Sequence, residues 1–190
     1  MKRFISAILC VLMIAAVSAG CGYKDALSKN NTSATQSTEA AQEATPDEPK
    51  AKDFDDNLNG LCDYFGQLGY VTLKDDKIDE SLVVKMDASL IGAKEGKKFN
   101  AKYGSQPVTI ELYEYDLNNL NDTAKSVIDS VKQTGKFTIL DLPEVEAYLS
   151  DSGKYMLIYS DESIDDENPD KESDSYKHRQ EVIEHFKAFN

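Results

Sequence analysis

Apolar residues recur at helical spacing in three places and alternate with polar ones in several others. Phe54, Leu58, Leu61, Cys62, Phe65 and Leu68 fall at i, i+4, i+7, i+8, i+11 and i+14, one stripe of an amphipathic helix ending near Gly69. Leu120, Ala124, Val127, Ile128 and Val131 form a second stripe, with Asn121 or Asp122 as its cap and Gly135 as its stop. Val182, Ile183, Phe186 and Phe189 form a third within residues 175–189. Between them the period drops to two. In 108–115, Val108, Ile110 and Leu112 alternate with Thr109, Glu111, Tyr113 and Tyr115, which predicts a strand. Residues 97–103 supply the other arm of a hairpin across Gly104-Ser105-Gln106-Pro107. Further short strands are expected at 136–140, 145–149 and 154–160. Residues 82–84 and 90–91 are apolar but too short to assign, and a helical turn around 88–93 is an alternative there. The order is helix, two strands, helix, three strands, helix. It predicts an α+β domain over 54–190, with a mainly antiparallel sheet of about five short strands packed with three helices.

Two other kinds of sequence precede that domain. Residues 22–53 are dominated by Ser, Thr, Asn, Gln, Ala and Glu, and between 30 and 53 no aromatic residue occurs. Such a stretch buries too little apolar surface to offset its ordering entropy, so a disordered tether is expected. Ahead of it, Lys2 and Arg3 are followed by an apolar run over 4–17 and the small residues Ser18-Ala19-Gly20. This is the layout of a signal peptide, occupying 1–20. The run falls short of the ~20 apolar residues that cross a bilayer, so a permanent span is not expected.

Val17-Ser18-Ala19-Gly20-Cys21, followed by Gly22, resembles the signal of the bacterial lipoproteins. The resemblance covers the first two dozen residues. It implies that Cys21 is acylated with diacylglycerol and becomes the N-terminus of a protein anchored on the extracytoplasmic face of the cell membrane. Ser18 stands where that family usually has Leu. Val17-Ser18-Ala19 also fits ordinary secretion with a cut after Ala19, in which case Cys21 is free to pair with Cys62. Cys62 itself lies on the first helical stripe and reads as a small buried hydrophobe rather than a nucleophile.

Charge narrows the partners. The chain carries −13, and −15 once Lys2 and Arg3 leave with the signal. Nucleic acid and anionic headgroups are therefore excluded as partners, and membrane contact is expected through the lipid alone. A basic protein or peptide is the electrostatically reasonable partner. The acids concentrate in 161–174, eight against one lysine. Asp165, Asp166 and Asp170 are candidate binding residues there. The alternation of Asp166, Asn168, Asp170 and Glu172 is not an EF-hand, since Lys171 replaces its glycine and Lys177 its glutamate.

Two further clusters invite a function. Tyr113 with Tyr115, and Tyr155 with Tyr159, would make an amphipathic binding platform if their strands neighbour one another and present them on one face. Helices covering that face would make them core instead. His178, Glu181 and His185 stand at i, i+3 and i+7 on the last helix, the alternative of a metal-dependent enzyme or factor. No cofactor fingerprint or nucleophile motif occurs. The expected function is therefore binding rather than catalysis, with no cofactor.

Overall fold

The long hairpin expected from the alternating pattern forms the centre of the molecule. The computed structural model describes residues 48–140 and 142–189, within a unit spanning Thr45–Asn190. The signal sequence, Cys21 and most of the tether lie outside the described residues. The packed chain starts ahead of residue 54: Ala51–Asp53 form a 3-10 turn, and Ala51 and Phe54 both pack against the core. Helix α1, Leu58–Gln67, opens where the Asn57 side chain accepts from the Gly60 amide, satisfying one donor that the helix itself leaves orphaned.

Strands β1, Leu73–Lys74, and β2, Lys77–Ile78, make a small hairpin of their own. Asp75 and Asp76 turn it with φ of 52° and 60°, the left-handed pair of a type I′ turn. The main sheet begins with β3, Val83–Lys85, and after a 3-10 turn at Ala88–Ile91 continues into β4, Glu95–Tyr103, and β5, Gln106–Glu114. Gly96 lies opposite Tyr113 in this hairpin, and a Cβ there would come within 2.6 Å of the tyrosine ring. Helix α2, Asp122–Thr134, is capped by Asn121 and ended by Gly135 at φ 73°, both as the sequence predicts. Strands β6, Lys136–Phe137, and β7, Val145–Glu146, pair with each other. Then come β8, Tyr148–Leu149, β9, Tyr155–Asp161, and helix α3, Asp174–Ala188, capped by Ser173.

The result is an α+β fold. Its five-stranded sheet has the order β3-β4-β5-β9-β8, antiparallel throughout. The even residues of β5 and the odd residues of β9 share one face. Val108, Ile110, Leu112, Tyr155 and Leu157 pack there against Leu61 and Phe65 of α1 and against Val182 and Phe186 of α3. Tyr113, Met156 and Ile158 form the other face, against Ala124, Val127, Ile128 and Val131 of α2. Both faces are covered. That explains why 155–159 is apolar without alternation: a central strand with helices on both sides has no solvent face.

Candidate binding site

The tyrosines do not form an exposed platform. Antiparallel partners directly opposite each other point to the same face, and Tyr113 stands opposite Met156. Tyr113 and Tyr115 therefore belong to the α2 side, whereas Tyr155 and Tyr159 belong to the α1 and α3 side. All four are buried. Tyr113 donates to Glu111 at 2.8 Å, and Tyr155 to Asp56 at 2.7 Å. Burial holds every one of these phenols above the ordinary tyrosine range, so each stays protonated.

His178, Glu181 and His185 share a side of α3 but do not converge. The Tyr70 hydroxyl lies between two of them, 3.1 Å from Glu181 Oε1 and 2.5 Å from His185 Nδ1. The other nitrogen of His185 is 3.1 Å from Glu48 Oε1, so both ring nitrogens are engaged. The His178 ring stacks on Tyr103 at 3.9 Å, and burial lowers its pKa against the opposing pull of Glu181 and Asp161. Among the described residues no three His, Cys, Asp or Glu side chains are placed to hold a metal ion. Cys62 is fully buried and its thiol is pushed up to about 12, mainly by burial, which leaves it inert as a nucleophile.

The acidic segment behaves differently from residue to residue. Asp165 accepts from the Glu167 and Asn168 amides, and Asp170 from the Glu172 amide. Both are exposed and spend one oxygen on local turns. Asp166 is exposed too, but it pairs with Arg179 of α3, a residue only 6% exposed. Asp161, at the end of β9, is buried; its Oδ1 accepts from the Ser163 amide at 2.9 Å and hydroxyl at 2.6 Å.

Here the sheet edge opens. The strand that borders β9 forks: β8 pairs with it only at Leu157 and Met156, while β7 turns away to pair with β6. The Ala147 amide between them bonds the Gly135 carbonyl at 2.9 Å. This fork leaves a pocket of about 360 Å³ between residues 144–146 and 158–161, and Glu144, Glu146, Asp161, Glu162 and Asp166 all line it. Three buried side-chain atoms, Tyr159 Oη, Asp161 Oδ2 and Arg179 Nε, have no hydrogen-bond partner among the described residues. Tyr159 and Asp161 line the pocket, and Arg179 is tied to it through Asp166; each unmet buried group costs about 1–3 kcal/mol. Of the three acidic candidates in the sequence, only Asp166 reaches the pocket. Glu144, Glu146, Glu162 and Arg179 were not among the residues singled out.

A scan of protein-family models and searches of curated proteins and solved structures find no match to this chain. Five carboxylates around one opening, with a single buried guanidinium behind them, suit the reception of positive charge. Among the described residues none of them belongs to a group placed to hold a metal ion.

Proposed function

We propose that the protein is a lipoprotein, acylated on Cys21, that holds an α+β domain outside the cytoplasmic membrane and there binds a cationic protein or peptide. The observation that carries the binding part is the acidic pocket at the β7–β9 fork. Its carboxylates present negative charge to whatever enters, and a cationic partner is electrostatically complementary to it. The anchoring part rests on the signal sequence and on Cys21 at its end. The −15 charge of the mature chain keeps the domain off anionic headgroups, leaving the acyl group as the only membrane contact.

Two measurements test the two parts. Intact mass of the protein from its native membrane is expected to show diacylglyceryl on Cys21, and Cys21→Ala to release the protein; an unmodified N-terminus at Gly20 would refute the anchor. A fluorescent oligolysine is expected to bind the full chain more weakly at high salt. Charge reversal at Glu144 and Glu162 is expected to weaken it about tenfold or more. Reversal at Asp165 and Asp170, which lie outside the pocket, is expected to matter less. Equal effects from the two pairs would mean that net charge, not the pocket, attracts the probe.

A further inference from the structure

The pocket offers more than charge, because beside it one edge of a strand is left without a pairing strand. β9 runs from Tyr155 to Asp161, yet β8 accompanies it only as far as Leu157. Two hydrogen bonds fix which residues of β9 face outward. The Tyr115 amide bonds the Lys154 carbonyl at 2.8 Å, so the even-numbered residues turn their backbone groups toward β5. The Ser150 amide bonds the Tyr155 carbonyl at 3.0 Å, so the odd-numbered residues turn theirs toward β8. In an antiparallel ladder this alternation continues residue by residue. It directs the amide and carbonyl of Tyr159, and the amide of Asp161, into the opening where no strand pairs with them. The carbonyl of Asp161 is taken by the Ile164 amide at 3.1 Å.

From this geometry we infer that the pocket takes an extended, basic peptide segment, which adds to the edge of β9 at Tyr159 and Asp161 as a short strand. The inference rests on the acidic-pocket reading and names the form of its partner. Main-chain bonds to an exposed edge supply affinity without sequence preference, and pockets for alternate side chains supply selectivity. Glu144, Glu146, Glu162 and Asp166 surround the edge with negative charge, which selects Lys or Arg at alternate positions. Ile158 and Val145 offer apolar contact to the residues between. A second copy of this chain is a poor occupant, since each mature chain carries −15 and the pocket is acidic in both. The fork that creates the opening also guards it: β7 narrows it to a few residues, so a long strand does not enter unaided.

The test uses the full chain in nanodiscs and three synthetic probes of equal charge: acetyl-KVKVKV-amide, the same peptide N-methylated at alternate amides, and acetyl-KPKPKP-amide. In the free protein, amide exchange is expected to be slow at Ile158 and Ser160, which face β5, and faster at Tyr159 and Asp161. The first probe is expected to bind and to slow exchange at Tyr159 and Asp161 about tenfold or more, the methylated and proline probes binding at least about tenfold more weakly. If all three probes bind alike and exchange at Tyr159 and Asp161 is unchanged, strand addition is overturned while the acidic pocket survives. If none binds, or if Glu144→Lys with Glu162→Lys leaves binding of the first probe unaltered, the acidic-pocket reading fails and takes this inference with it.

Discussion

Tyr155 and Tyr159 offer a controlled experiment within one strand. They sit four residues apart on the same face of β9, both essentially buried, 0% and 5% exposed. They differ in what their hydroxyls meet. Tyr155 donates to Asp56 Oδ1 at 2.7 Å, and the Tyr159 hydroxyl has no hydrogen-bond partner among the described residues. Replacing each with Phe removes one oxygen and leaves the ring. For Tyr155 the loss is a hydrogen bond to a charged acceptor, about 1.5–3 kcal/mol. Asp56 is 56% exposed and also bound to Lys154 at 3.0 Å, so it rehydrates easily, and about 1–2 kcal/mol is the better expectation. For Tyr159 the change removes a buried group whose hydrogen bonding is unmet, so stability is expected to hold or to rise by up to about 1 kcal/mol. With roughly 2–4 °C per kcal/mol for a chain of this size, Tyr155→Phe should lower Tm by about 2–8 °C, and Tyr159→Phe should leave it level or raise it by a few degrees. Urea titration followed by circular dichroism supplies the check, with unchanged m-values required for a clean comparison. A Tyr159→Phe protein as destabilised as Tyr155→Phe would show that the hydroxyl has a partner in solution. The claim that the inner wall of the pocket carries unmet hydrogen bonds would then be wrong.

Acid should weaken the fold partly through His178. Burial lowers its folded pKa below the ordinary 6.5, so between the two values the unfolded chain binds more protons and stability falls as pH drops through that window. Glu181 and Asp161 oppose the shift without reversing it. His178→Gln is expected to flatten this part of the stability profile, and an unchanged slope between neutral pH and pH about 5 would refute the assignment. Cys62 should report unfolding: with its thiol pushed up to about 12 and no exposed surface, iodoacetamide should modify it only as denaturant opens the core. Peptide mapping that finds rapid labelling of Cys62 in the native protein would sink that reading.

What the sequence disclosed was what neighbouring residues decide among themselves. Asn121 before an apolar stripe and Gly135 after it bound α2, because capping is a matter of three or four residues. The alternation over 108–115 marks β5 for the same reason. The β1–β2 hairpin escaped notice because Asp75-Asp76 carries no glycine to announce a left-handed turn. The tyrosines were misleading for a deeper reason. Alternation shows which residues of one strand share a face, but only the register Tyr113↔Met156 shows that the two pairs face opposite sides. A slip of one residue would have put all four together. The pocket was hidden in the same way. Glu144 and Glu146 meet Asp161, Glu162 and Asp166 only because the strand beside β9 forks, and no periodicity within 144–149 encodes a fork.

The position of the chain's root gives the fork its functional sense. Glu48, close to where the described chain begins, meets His185 in the last turn of α3. Arg179, which holds Asp166 beside the pocket, lies six residues nearer the start of the helix, roughly 9 Å along the axis. The chain therefore meets α3 in its last turn, and Asp166 of the pocket meets the same helix between one and two turns nearer its start. On the proposed reading, a lipid anchor acting through residue 48 holds the domain by the C-terminal end of α3, and repulsion between the anionic domain and anionic headgroups keeps the rest of it off the membrane surface.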